Sequence, residues 1–177
     1  MKGGRLHGML RLMLFRHGKS DWSAACDGDP DRPLNARGER AAATMGLVLR
    51  RMGEVPDRVV TSPATRAEST ASLARLSGGW DAPLEVADEL YGGGPAAALG
   101  VAARCGGAAE RLMLVGHEPT WSMIAERITG GRISVKTGTV LAFDLDGATW
   151  ADAPHAAGTL TYALHPRMFD GDEWGLS

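Results

Sequence analysis

Three times along this chain a short apolar run stops at a polar residue and gives way to a stretch with helical spacing. Met9 to Phe15 reads as a buried strand ending at Arg16, and Arg58 to Thr61 as a second strand running straight into SPATRAESTASLARL. Arg111 to Val115 is a third, followed by Gly116, His117, Glu118 and a helix in which Pro119 suits the first turn. Strands that lack polar alternation are buried on both faces, and strands linked through helices pair in parallel. The order therefore predicts an α/β chain, a three-layer αβα sandwich with a mostly parallel central sheet. Ligands of such sheets bind beyond the carboxyl ends of the strands.

Other elements follow from local signals. Ala41, Met45, Val48 and Met52 recur at spacings that put them on one helical face, and Gly53 supplies a stop. Ser62 is the candidate N-cap of the next helix, with Pro63 in its first position, and Gly78 and Gly79 close it. Leu84 to Ala87 is a short strand, Gly92 to Gly94 a bend, and Pro95 opens an Ala-rich helix. Trp121, Ile124, Ala125 and Ile128 form an apolar stripe, and Thr139 to Leu145 and Thr159 to Leu164 are the last strands. Residues 24–32 and 147–158 are expected to be mobile loops.

At 177 residues, 44% of them apolar, the chain fits one domain, placed at residues 9–169. Residues 1–8, with Gly3, Gly4 and Gly8, read as a flexible N-terminal extension that includes His7, and residues 170–177 as a C-terminal tail. A formal charge of -2 gives no basic footprint for nucleic acid. The apolar run from Met9 is broken by Arg11 and ends at Arg16, too short and too charged for a signal peptide or a membrane span. Cys26 and Cys105 lie far apart and in no metal-binding spacing, which suits free thiols in a cytoplasmic protein.

The chemistry concentrates where the three strands end. The first presents Arg16 and His17, the second leads into the helix carrying Arg66, and the third ends at His117. On one edge of a parallel sheet, two guanidiniums and two imidazoles would hold three oxygens of a phosphoryl group and leave one imidazole in line for attack. An imidazole with an ordinary pKa of about 6.5 is substantially neutral, and so nucleophilic, at physiological pH. No metal or other cofactor is called for.

The segments LMLFRHGKSDWS, RPLNARGERAA, VVTSPATRAEST and LMLVGHEPTW resemble the histidine phosphatase, or phosphoglycerate mutase-like, superfamily. The small size and the late HPRMF segment resemble its SixA-like phosphohistidine phosphatases. The resemblance spans residues 9–169 and implies that His17 attacks phosphorus, Arg16 and Arg66 bind phosphoryl oxygens, and His117 stabilises the transferring group. Ser23 stands where many members carry Asn, which makes it a candidate phosphate contact. One departure concerns the proton donor: many members place a carboxylate after an LxE motif, whereas here Leu90 is followed by Tyr91 and Gly92. Asp88 and Glu89 lie just upstream, with Glu89 the candidate donor and a solvent-facing role the preferred reading. A phosphohistidine substrate leaves as an imidazole, which has less need of a carboxylic acid than an alkoxide does.

Other motifs fail on their own terms. Gly18, Lys19 and Ser20 mimic the end of a P-loop, but Met13 occupies the place of its first glycine, so Lys19 reads as a rim charge. Asp27, Asp29 and Asp31 alternate as in a calcium loop, but Arg32 replaces the required glycine, leaving a solvated acidic loop. Trp22 either lines a substrate wall or packs in the core. The expected partner is a phosphorylated protein carrying phosphohistidine, or alternatively a small phosphorylated metabolite or sugar phosphate, with neither nucleic acid nor membrane. A non-catalytic phosphate-binding module is the remaining alternative.

Overall fold

The computed structural model describes residues 9–147 and 149–170, so the N-terminal extension and the C-terminal tail from residue 171 lie outside the described residues. Six strands form one sheet: β1 (Leu10–Arg16), β2 (Arg58–Thr61), β3 (Leu84–Val86), β4 (Arg111–Gly116), β5 (Val140–Leu145) and β6 (Gly158–Leu164). Their spatial order is β3-β2-β4-β1-β5-β6. The first four strands of that order run parallel, and β5 and β6 continue antiparallel. The helices are α1 (Ala36–Arg51), α2 (Thr65–Gly78), α3 (Gly94–Cys105) and α4 (Thr120–Thr129).

Strand β1 shows why the layers number three. Its side chains alternate between two cores, as strand pleating requires. Leu12 and Leu14 join Leu99 of α3 and Trp121 and Ile124 of α4, while Met13 and Phe15 join Met45 and Leu49 of α1 and Ala67 and Ala71 of α2. All of these residues are buried. The unbroken apolar run of β1 is thus the signature of a strand covered on both sides. Among the described residues no helix is long and apolar enough to cross a membrane.

Several local expectations shift. The buried face of α1 is Ala42, Met45, Val48 and Leu49, while Met52 is 45% exposed at the C-cap. Met45 and Val48 keep their expected place, and Met52 falls outside because α1 ends at Arg51; on the same side Gly46 faces α2 so closely that a Cβ would strike the Ala74 carbonyl. Gly53 closes α1 at φ 70° and Gly79 closes α2 at φ 59°, both left-handed positions that favour glycine. Ser62 does not cap α2, which starts at Thr65 behind Ala64: its hydroxyl accepts the Ala64 backbone N–H at 3.3 Å, ahead of the helix, and also lies 2.8 Å from His117 Nε2. Pro119 occupies the N-cap of α4 rather than its first turn.

The two expected mobile loops are tethered. In residues 24–32, Asp31 and Arg32 donate backbone bonds to Gly28 and Asp29, and Pro30 accepts from Thr65. In the other, Trp150 is buried and its indole N–H donates to the Ala109 carbonyl at 2.7 Å.

The close approach of α1 and α2 makes a direct prediction. Gly46→Ala gains about 1 kcal/mol of helix propensity, but overpacking costs about 1–3 kcal/mol. A urea melt should show net destabilisation, and a variant more stable than wild type would contradict the packing.

Candidate active site

Sheet register builds the site. Arg16 pairs with Gly116 across β1 and β4, and Thr61 pairs with Val115 across β2 and β4, so the three strands end within one residue of each other. The ladder runs one step further, with His17 N–H donating to Gly116 at 3.0 Å and Ser62 N–H to Val115 at 2.9 Å. His17, Ser62 and His117 therefore leave the sheet side by side, and the imidazole centroids of His17 and His117 are 5.0 Å apart. Arg66, on the first turn of α2, reaches the same point, its Nε 3.4 Å from His17 Nε2.

His17 is held in a defined state. Its Nδ1 lies 2.7 Å from the Gly18 carbonyl, which can only accept, so Nδ1 carries the proton and Nε2 presents a lone pair toward Arg66. Burial pushes the His17 pKa down to about 3, against the opposing Gly18 bond and with help from His117, Arg66 and Arg16. His117 is pushed down to about 4, first by burial and then by Arg66 and Arg16. Both rings are neutral for the same reason: a charge there would be desolvated and would face two guanidiniums.

The arginines are positioned by oxygens. Arg16 donates to the Val135 carbonyl at 2.6 Å, while its buried Nε has no partner among the described residues. Arg16 also borders a cleft of about 690 Å³ lined with Glu118, Ser122, Glu126 and Arg132. Arg66 is 7% exposed and is gripped by Asp29, through the carbonyl at 2.6 Å and the carboxylate at 2.8 Å. The Asp29 carboxylate also pairs with Arg32 and accepts from the Tyr91 hydroxyl at 2.9 Å. The Tyr91 ring in turn stands edge-on to His117, 5.5 Å between centroids.

The four central residues of the sequence reading come together, but Ser23 and Glu89 stand apart. Ser23 sits in an exposed turn with its backbone and hydroxyl on Asp21. Glu89 is exposed and paired with Arg104 at 2.9 Å. Its pKa is lowered, first by a bond from its own backbone N–H and also by Arg104, the wrong direction for a proton donor. Asp29 stays in an exposed loop, its side chain 49% exposed, yet it reaches Arg66, and Trp22 is 77% exposed with its ring centroid 3.3 Å from the Arg32 guanidinium carbon. Among the described residues no group of three His, Cys, Asp or Glu side chains could hold a metal ion.

Sequence reasoning missed four supporting residues. Ser62 lies 2.8 Å from His117 Nε2, a place at the end of β2 that strand alignment alone could have shown. Thr70 accepts from Gly18 N–H at 3.0 Å and donates to the Arg66 carbonyl at 2.7 Å. A threonine four residues after a helical arginine is a readable back-bonding signal, but its reach to Gly18 is not. Asp29 and Tyr91 come from loops distant in sequence, and no local pattern marks them.

The neutral rings fix a sign for pH dependence. In the unfolded chain both imidazoles protonate near pH 6.5, whereas in the fold they protonate near 3 and 4. Between about pH 4 and pH 6.5 the unfolded chain binds more protons, so their contribution to stability is complete above that window and is lost as pH falls through it. The urea midpoint should drop between about pH 7 and pH 4.5, with ring nitrogen shifts showing neutral His17 and His117 at about pH 5.5. Imidazolium signals from both at that pH would refute the burial argument.

Comparison with known proteins agrees with this geometry. Residues 12–91 match the family model for the histidine phosphatase superfamily (branch 1). An uncharacterized protein of Mycobacterium tuberculosis is 42% identical over 113 residues, 63% of this chain and 67% of that one. A structure provisionally named phosphohistidine phosphatase SixA, from Nakamurella multipartitia, superposes with TM-score 0.75 at 30% identity, covering 90% of this chain and 97% of the other. The fold is shared too by the protein histidine phosphatase SixA complexed with tungstate, at TM-score 0.74 and 21% identity over 91% of this chain and 100% of that one. With likeness of this extent around four convergent side chains, the chain belongs to the histidine phosphatase superfamily and is SixA-like.

Proposed function

We propose that residues 9–169 act as one phosphatase domain that hydrolyses a phosphoryl group through a phosphohistidine formed on His17, with protein-borne phosphohistidine as its substrate. The observation that carries this reading is the state of His17: a buried neutral ring, proton on Nδ1, with Nε2 facing Arg66 and His117 beside it. In the first step the substrate imidazole, already protonated from solvent at its other ring nitrogen, leaves as a neutral ring as the Nε2 lone pair of His17 attacks phosphorus and the phosphorus–nitrogen bond breaks. His17 keeps its Nδ1 proton, and the Gly18 carbonyl, which accepts it, stabilises the positive charge of the phosphorylated ring. Water then attacks phosphorus in line, releases orthophosphate and returns His17 to neutrality.

Arg16 and Arg66 bind the non-transferring oxygens, the unpartnered Nε of Arg16 being one available donor. His117, oriented by Ser62, stabilises the transferring group. Asp29 and Thr70 are positioning residues: one holds the Arg66 guanidinium, and the other ties the nucleophile loop to the Arg66 backbone. The scheme uses no metal and leaves Glu89 outside the reaction, which suits a nitrogen leaving group. The free thiols Cys26 and Cys105 support a reducing compartment, the cytoplasm.

One observation favours a second reading. The cleft beside Arg16 has the size and polar lining of a small-molecule site, which would suit a small phosphorylated metabolite.

Turnover of a phosphohistidine protein, a sugar phosphate and an aryl phosphate under one set of conditions separates the two. Phosphohistidine should lead, and a sugar phosphate turned over fastest would transfer the assignment to the second reading. His17→Ala should lower phosphate release by at least about a thousandfold, whereas unchanged release would mean a binding module.

The grip on Arg66 gives a separate expectation. A charge-assisted hydrogen bond contributes about 1.5–3 kcal/mol, so Asp29→Asn should lower kcat/KM by about tenfold or more. The same kcat/KM as wild type would remove Asp29 from the positioning machinery.

A further inference from the structure

A second concavity opens next to the catalytic edge, and its lining is cationic. It encloses about 310 Å³ between Lys19, Arg37, Arg40, Thr137, His165 and Arg167, with Asp170 the one carboxylate among the described residues that line it. That volume stands at the lower end of the range for small-ligand sites, about 300–1,000 Å³. The residues arrive from four separate stretches: the loop after β1, the first turns of α1, the approach to β5, and the turn Pro166–Phe169 after β6.

The charges in this groove are unlike those that hold the fold together. Arg11, Arg58, Arg66 and Arg104 each face a carboxylate. Among the described residues, Lys19, Arg37, Arg40 and Arg167 form no ion pair. In a chain with a formal charge of -2, four cations without an ion pair among the described residues, gathered around one hollow, form a local anion-attracting field. His165 adds a neutral donor. Its Nδ1 accepts the Arg167 backbone N–H at 3.2 Å, which leaves the ring proton on Nε2, and burial together with Arg167, Lys136 and Arg37 lowers its pKa.

The groove also shares its wall with the nucleophile. Lys19 is two residues beyond His17, and its backbone lies so close to Gly38 of α1 that a Cβ there would strike the Lys19 carbonyl. On the other side, Gly138, which follows Thr137, donates to the carbonyls of Arg16 at 3.1 Å and His17 at 3.0 Å.

We propose that this groove is a second oxyanion site, separate from the catalytic pocket, that takes a multiply charged phosphate group of the diphosphate class. Several tetrahedral oxygens would be met by the Lys19 ammonium and by the guanidiniums of Arg37, Arg40 and Arg167, with the His165 N–H as a neutral partner. The diphosphate could be free or could belong to a nucleotide, and the two sources share this chemistry.

Calorimetry with methylenediphosphonate, whose P–C–P bridge resists hydrolysis, tests the site on the whole chain. Two equivalents should bind, one at the catalytic pocket and one in the groove. Arg40→Gln/Arg167→Gln should weaken one of them at least tenfold while aryl phosphate turnover stays within twofold of wild type, and a thermal melt confirms that the variant is folded. A single equivalent that competes with substrate, or two undiminished equivalents in the folded variant, would overturn the proposal. If the variant melts early, Arg37→Gln alone should still weaken the second equivalent, and no change there counts equally against the site. Adenosine α,β-methylenediphosphate forms the second arm: tighter groove binding than the diphosphonate assigns a nucleotide source, and equal or weaker binding a free diphosphate.

Discussion

The pairing of β1 with β4 determines most of what surrounds His17. Because Arg16 stands opposite Gly116 and Thr61 opposite Val115, three strands from distant parts of the chain end within one residue of each other and deliver their next residues to one place. A slip of a single residue would turn Met13 and Phe15 into the α3/α4 core and Leu12 and Leu14 into the α1/α2 core. It would also carry His17 away from His117. Apolar packing on two faces thus holds the polar geometry in register, and the site inherits its precision from the cores beneath it.

Concentrating two guanidiniums and two imidazoles in a poorly solvated space has an electrostatic consequence that the structure resolves in two ways. The imidazoles shed their protons, pushed by burial and then by the neighbouring cations. The guanidiniums cannot do so and are met by oxygens instead: Arg66 by Asp29 and Arg16 by the Val135 carbonyl. One arrangement therefore yields both a nucleophilic ring nitrogen and a positive cradle, and Asp29 keeps that cradle from being a naked cluster of buried charge. Arg32 extends the pattern outward, buried between Asp29 and the face of Trp22.

Legibility differed with the range of the interaction. Strands β1, β2 and β4 and the apolar stripe of α4 were plain from apolar runs and periodicity, because each depends on neighbours within a few residues. Helix ends were less plain. Ser62 has the type and position of a cap, yet its hydroxyl serves the turn before the helix, accepting from Ala64, and lies 2.8 Å from His117, a contact no local pattern reveals. The acidic loop is exposed as its composition suggests, but its grip on the site is hidden for the same reason, since the partner of Asp29 is 37 residues away. Glu89, adjacent to the site in sequence, turns outward to Arg104.

By itself the sequence determined the layered α/β architecture, the strand ends that bear Arg16, His17 and His117, and the helix that bears Arg66. These follow from hydrophobic burial and backbone periodicity, which act locally. Only the tertiary structure decided which ring nitrogen is free, which carboxylate grips Arg66, that Ser23 and Glu89 stand apart, and that four cations gather in a groove beside the site. Those outcomes depend on distances between side chains far apart along the chain, because a hydrogen bond is lost beyond about 3.5 Å and exposed charges are screened beyond about 10 Å.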